Sequence, residues 1–219
     1  MAKDLAIVLN NGSLNSAVTT ALAAQRHRIV MLMADTAEKT MRATRTAFDG
    51  QVALLKPFRD HVLPMPMWSD FSPTDESAAV ATDPRRQTPV TPKLVDLLPL
   101  IATAARMAVH YQATSIHLGL RVGPGGDALA VVTEYGQIWN ELLQTPCGQA
   151  DTMIEMPLLE LEPWQVVDVG VQASAPFDKS WTCTEPGPDP CWACRACRAR
   201  EAAFQQAAKA DPLRVTRKL

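Results

Sequence analysis

The chain has 219 residues, 47% of them hydrophobic, and a net charge of −2. That length can bury the core of one large domain, or of one domain with a small appendage. The near-neutral balance supplies no long-range field to attract nucleic acid, and the apolar run Leu5 to Leu9 is too short for a signal peptide or a membrane span.

Leu5 to Leu9 has strand length and runs into the turn cluster Asn10, Asn11, Gly12, Ser13. From Leu14 to Arg26, Val18, Ala21 and Leu22 recur at helical spacing. Strand, glycine-containing turn and helix in that order open a phosphate-binding α/β unit. Arg28 to Met33 predicts a second buried strand ending at Ala34 and Asp35, then a helix over about 37–54, weakened at Gly50. A third short strand, His61 to Leu63, is stopped by Pro64 and Pro66. Residues 64–92, with Trp68, Phe71, Arg85 and Arg86, predict a long irregular segment, readable as a lid over a site or as a surface excursion. The stripe Leu94, Leu97, Leu98, Ile101, Ala105, Ala108 predicts a helix that gives way near Tyr111. Ser115 to Leu120 is the fourth strand, Gly123 to Asp127 a loop at its end, 128–144 a helix and Met153 to Met156 the fifth strand. Glu162 and Pro163 open a helix, because proline suits a first turn. A last helix over about 192–208 leads to a basic tail with Arg214, Arg217 and Lys218.

This alternation predicts an α/β fold, a parallel five-stranded sheet with helices on both faces. In such sheets ligands bind beyond the C-terminal strand ends, near a switch in strand order. The loops at 10–16, 34–36, 64–92 and 120–128 are therefore expected to line one crevice. The Asn11–Ser16 loop can hold a nucleotide or phosphate on backbone donors, or can be an ordinary strand-to-helix turn.

Four of the 5 cysteines, Cys183, Cys191, Cys194 and Cys197, follow the spacing C-x7-C-x2-C-x2-C. Four thiolates close a tetrahedral site and leave no position for water, which points to structural Zn2+. An iron–sulfur cluster also accepts four thiolates, and disulfides are the third reading. Metal ligation agrees with a reducing cytoplasm. Cys147 has no nearby histidine to make it a nucleophile, and His117, flanked by Ile116 and Leu118, reads as a packed strand residue. Arg195, Arg198 and Arg200 read as solvated or paired, with phosphate contact as the alternative.

The stretch from Ser180-Trp-Thr-Cys183 through Pro190-Cys191-Trp-Ala-Cys194-Arg-Ala-Cys197 to Arg200 and Phe204 resembles the 7-cyano-7-deazaguanine synthases. Those enzymes share S/T-W-S/T-C and then P-C-G-x-C-x-x-C-x-x-R-x-x-A-F. Trp192 stands in place of the family's glycine, and Ile154-Glu155-Met-Pro157-Leu158 resembles its I-E-T-P-L. The resemblance implies a Rossmann-like, adenine nucleotide α-hydrolase-like domain of PP-loop type over 1–174 and a zinc-binding helical segment over 175–219. It also implies ATP with Mg2+ as cofactors, and a ligand of 7-deazapurine or nucleotide type. The reaction it implies adenylates 7-carboxy-7-deazaguanine, forms an amide with ammonia, and dehydrates that amide to a nitrile after a second activation, in queuosine-precursor biosynthesis. The resemblance implies a homodimer; a degenerate homologue is alternatively expected as a subunit of a larger protein complex, and the cysteine usage places either in the cytoplasm.

The crevice motifs depart from the family together. Its S-G-G-x-D-S is Asn11, Gly12, Ser13, Leu14, Asn15, Ser16 here, so a side chain stands at Ser13 and the aspartate charge is lost at Asn15. Of F-D-Y-G-Q-R-H only Asp35 survives. V-P-G-R-N becomes Val90 to Leu94, where Lys93 keeps a charge without arginine's planar grip. G-Y-P-D-C-R has no counterpart between Leu120 and Asp127. Asp35, Lys93, Arg121 and Asp127 are the expected substrate-crevice residues. Two readings follow: a degenerate homologue that binds a ligand or partner without efficient turnover, and an active ATP-dependent ligase.

Overall fold

The computed structural model describes residues 3–67 and 94–216. Strands β1 (Leu5–Leu9), β2 (Arg28–Asp35), β3 (Arg59–Pro64), β4 (Ser115–Leu118) and β5 (Met153–Glu155) form one parallel sheet in the order β3-β2-β1-β4-β5. The helices are α1 (Leu14–Arg26), α2 (Met41–Leu55), α3 (Leu94–Tyr111), α4 (Gly126–Gln144), α5 (Pro163–Gln172), α6 (Arg195–Gln206) and α7 (Pro212–Thr216).

Successive strand residues face opposite sides, and both sides are covered, which is why β1 and β2 read as unbroken apolar runs. Ile7, Val30, Leu32, Ile116 and Ile154 meet Ile101, Ala104 and Ala108 of α3 and Leu143 of α4. Val8, Ile29, Met31 and Met33 meet Ala23 of α1 and Phe48 of α2. Helix α3 is long and apolar enough to cross a membrane, by length and composition alone. Here its buried stripe belongs to the sheet core. Strand order reverses between β1 and β4, so the crevice opens beyond their C-terminal ends.

Among the boundaries that differ from the sequence reading, three have a clear local reason. Helix α2 starts at Met41 rather than near 37, because Asp35 Oδ1 accepts the Ala37 N–H at 3.1 Å and Ala37 takes φ 58°. Strand β4 ends at Leu118, before Gly119, where a Cβ would stand 3.1 Å from the Asn15 backbone. Helix α6 starts at Arg195 with Cys194 as its cap, since the cysteine turn holds Trp192 at φ 56°. The basic tail folds into α7. The start signal there is Asp211-Pro212: Asp211 Oδ1 accepts the Leu213 N–H at 3.0 Å, and proline opens the helix. Gly50 does not break α2; a Cβ there would press on the Lys179 side chain at 3.0 Å. Residues 68–93, including Trp68, Phe71, Arg85, Arg86 and Lys93, lie outside the described residues, as do Arg217 and Lys218.

Candidate functional site

The turn from β1 into α1 is built by side chains that bond their own backbone. Asn10 is buried at 2% exposure; its Nδ2 donates to Thr20 Oγ1 and Gln51 Oε1, each at 2.8 Å, and its Oδ1 accepts the Gly12 N–H at 2.7 Å. Asn11 Oδ1 accepts the Ser13 N–H at 3.2 Å and the Ser16 hydroxyl at 2.7 Å. Ser16 Oγ accepts the Asn11 N–H at 3.4 Å. Ser13 is the N-cap of α1, its Oγ accepting the Ser16 N–H at 3.2 Å. Backbone donors of Asn11, Gly12, Ser13 and Ser16 are thus taken up inside the loop. Those of Leu14 and Asn15 receive no such acceptor from it.

Gly12 is required on two counts. Its φ is 76°, and a Cβ there would lie 2.3 Å from the Thr44 carbonyl oxygen of α2. Gly12→Ala is expected to cost about 2 kcal/mol of stability or more, measured by urea unfolding.

Beyond the loop lies a cavity of about 490 Å³, within the size range of small-ligand sites. Its wall includes Asn11, Ser13, Asn15 and Ser16 from the loop, Ala34 near the end of β2 and Thr36 after it, and Gly119 and Leu120 after β4. Thr40, which caps α2, Thr44 of α2, and Asp96, Leu97 and Leu100 of α3 also line it. Sequence reasoning missed these α2 and α3 residues. Among the described residues the ionisable groups on the wall are Glu38 and Asp96, and no lysine or arginine lines it. Asp35 turns to the Ala37 N–H instead of the cavity wall. Arg121 Nη1 donates to Leu161 O at 3.4 Å, and Asp127 stands exposed in the first turn of α4. The structure brings Asn11, Ser13, Asn15 and Ser16 to the cavity and leaves Gly12, Leu14, Asp35, Arg121 and Asp127 off its wall.

The four cysteines do converge. Their sulfurs lie within 4.8 Å of one another, with Cys183 Sγ 3.4 Å from Cys191 Sγ and 4.0 Å from Cys194 Sγ. Thiolates about 2.3 Å from one tetrahedral ion stand about 3.8 Å apart, so the set fits a structural metal site. Disulfides, with S–S near 2.05 Å, do not describe it; all four are free thiols. Short turns aim backbone N–H groups at the sulfurs: Glu185 and Cys191 at Cys183, Ala193 and Cys194 at Cys191, and Cys197 at Cys194. Backbone donation from Thr184, then from Cys197, holds the Cys194 thiol down at about 5. Donation from Ala193 and Cys194 lowers Cys191 as well. Burial pushes Cys183 and Cys197 up. Backbone donation therefore favours the thiolate at Cys191 and Cys194, while burial favours the thiol at Cys183 and Cys197, which a bound cation would deprotonate. Cys147, exposed beyond α4, stands apart.

Cluster and loop are mechanically joined. The Trp181 N–H donates to the Gly12 carbonyl at 2.8 Å, and Gln51 Nε2 bridges Gly12 O at 3.2 Å and Lys179 O at 2.8 Å. Trp181 is buried with Ala47, Cys183 and Cys197.

Comparison with known proteins agrees with this architecture. A 7-cyano-7-deazaguanine synthase of Chloroherpeton thalassium is 26% identical over 219 residues, covering 95% of each chain. The match to the synthase of Acidobacterium capsulatum is 29% identical over 79 residues, covering 36% of this chain and 34% of that one. Among solved structures, the U34-tRNA thiolase NcsA from Methanococcus maripaludis with its [4Fe-4S] cluster superposes with a TM-score of 0.51 at 11% identity. That superposition covers 94% of this chain and 68% of the thiolase, and shows a common fold. The sequence profile of the queuosine biosynthesis protein QueC matches residues 5–208. With that match spanning the sheet, the loop and all four clustered cysteines, the chain belongs to the QueC family.

Proposed function

We propose that this chain is a divergent protein of 7-cyano-7-deazaguanine synthase type that holds a nucleotide or 7-deazapurine ligand in the cavity beyond β1, β2 and β4, with its ATP chemistry weakened. The observation that carries this reading is the self-satisfied loop. A phosphate-binding loop works by aiming unspent N–H groups at an anion. Here Asn10, Asn11, Ser13 and Ser16 take up four of those donors through their own side chains. The cavity wall adds Glu38 and Asp96, which repel phosphate, and Asn15 offers an amide where the family presents a carboxylate. The remaining loop donors, at Leu14 and Asn15, suit a single anionic group better than a triphosphate.

The cysteine cluster, in this reading, holds one Zn2+. Sulfurs this close surround a single ion, whereas each thiolate of a [4Fe-4S] cube binds its own iron and stands farther from the rest. Four thiolates leave the ion no open position, so it ties residues 183–197 together and takes no part in the chemistry. The same reading treats 1–174 as the ligand domain and 175–219 as its clamp, in a cytoplasmic protein that acts as a homodimer or within a larger complex.

The experiment is AMP release from Mg–ATP with 7-carboxy-7-deazaguanine and ammonia. The unaltered chain is expected to release AMP near background. The double variant Ser13→Gly/Asn15→Asp, which restores a bare loop and a carboxylate, is expected to bind ATP about tenfold more tightly by calorimetry, a gain of about 1.4 kcal/mol. Steady AMP release by the unaltered chain would establish the active ligase instead.

A further inference from the structure

On the sheet face covered by α1, three metal-ligating side chains from distant parts of the chain meet. His27 closes the C-terminal end of α1, where its N–H donates to Ala23 O at 2.8 Å. His117 lies in β4 opposite Val8 of β1, and Glu155 ends β5 opposite His117. One ligand atom from each of the three lies within 4.8 Å of the other two. The two imidazole rings are 5.6 Å apart, centre to centre. This group shares no residue with the cysteine cluster and contains no sulfur.

Its hydrogen bonding does not close on itself. His117 is 3% exposed. Its Nε2 lies 3.0 Å from Ser115 Oγ, while its Nδ1 points at Glu155 Oε2 from 3.8 Å, beyond hydrogen-bond distance. Among the described residues that Nδ1 has no hydrogen-bond partner, and neither has Nδ1 or Nε2 of His27, although all three atoms are buried. If Ser115 Oγ accepts the Nε2 proton, the Nδ1 lone pair of His117 faces a carboxylate with nothing positive between them. A buried polar atom left in that state costs about 1–3 kcal/mol. One cation between the three side chains satisfies them together. Burial holds the His117 imidazole below its ordinary value, against the pull of Glu155.

We propose that His27, His117 and Glu155 form a second site, free of cysteine, for a divalent transition-metal ion of the Zn2+ class. Two imidazoles and one carboxylate suit zinc or nickel, and do not suit the all-oxygen preference of Mg2+ and Ca2+. Ligands about 2.1 Å from a tetrahedral ion stand about 3.4 Å apart. The 3.8 Å separation of His117 and Glu155 therefore needs a small contraction, available because the Glu155 side chain is 39% exposed. That same opening admits the ion and leaves its fourth position to water. Ser115 is the positioning residue of the proposed site: its Oγ lies 3.0 Å from Nε2, and as the acceptor there it would direct the Nδ1 lone pair of His117 to the metal. The ion joins the α1–β2 junction to β4 and to the short edge strand β5.

Metal counting on the full chain tests this, with Zn2+ and then Co2+ as probes. The cysteine site reports itself through thiolate-to-cobalt charge-transfer absorption, which a nitrogen and oxygen site lacks, so the two sites are read separately. The expected result is one Co2+ without thiolate absorption in addition to any held by cysteine. Its affinity is expected to fall about tenfold or more in His27→Ala and Glu155→Gln, and about tenfold in Ser115→Ala, with the thiolate signal unchanged. No such Co2+ in the unaltered chain overturns the proposal. So does a second ion held as tightly by His27→Ala as by the unaltered chain. His27 is half-buried at a helix end, so that variant keeps its fold and decides the matter if Glu155→Gln does not.

Discussion

Stripping the cysteine-bound metal is expected to unfold the segment from about residue 181 onward while the parallel sheet stays folded. Between Cys183 and Cys191 the chain has no helix or strand, and it carries Pro186, Pro188 and Pro190. No regular element holds that stretch, and the N–H groups of Glu185 and Cys191 donate to Cys183 Sγ, each at 3.4 Å. Without a cation, the charge that backbone donation favours at Cys194 goes uncompensated, and burial makes Cys183 and Cys197 resist ionisation. Loss of a structural metal belongs to the class of changes that cost about 4 kcal/mol or more. Chemical unfolding with and without a strong chelator measures the size, and hydrogen exchange locates it. Exchange should rise at Trp181, Cys197 and Phe204 and stay slow at Ile7 and Val30. Binding removes protons from Cys183 and Cys197, whose thiols burial holds up, so metal affinity falls as pH falls and the chelator succeeds at lower concentration in acid. A chelator that removes the metal without changing stability refutes the structural role.

Much of this was legible in the residues because local chemistry decided it. Helix α1 begins and ends where Ser13 supplies a cap and His27 turns extended. The strands read as apolar runs because helices cover both faces. The cysteine spacing alone places four sulfurs around one point. What escaped depends on rotamers and on long-range packing. The turn at Asp35 that delays α2 arises from one side-chain acceptor. Asp96, Leu97 and Leu100 reach the cavity because the fold carries α3 across the sheet, and no spacing near the loop announces them. The motif comparison marked the loop as altered, yet that Asn10 and Asn11 take up its donors could be seen only once their amides were placed. Arg200 offered solvation, pairing or phosphate contact as readings, and the structure shows it paired with Asp211.

That pair is the second place where a large effect is expected. Arg200→Ala should lower the unfolding free energy by about 3–5 kcal/mol, the range for removing one partner of a buried ion pair. Every N–H of the guanidinium is spent. Nε and Nη2 grip the Asp211 carboxylate at 2.6 and 2.8 Å, Nη1 reaches Ser180 Oγ at 2.8 Å and Thr182 Oγ1 at 3.1 Å, and Nη2 also meets Phe177 O at 2.9 Å. The side chains are 2% and 7% exposed. Truncation leaves Asp211 as a buried, uncompensated charge, and frees Ser180 beside the Trp181 N–H that holds Gly12. Arg200→Lys should recover little, because one ammonium cannot replace the two-point grip. Arg200→Met with Asp211→Asn should recover more, since the charge is gone while the amide oxygen still caps α7. Urea unfolding of the single and double variants gives the coupling, and a loss below about 1 kcal/mol in Arg200→Ala would show that the pair is solvated. Metal and ion pair clamp the same segment from opposite ends. Chelation of the Arg200→Ala chain should therefore cost less than the two separate losses added together, since a segment already released cannot be released again.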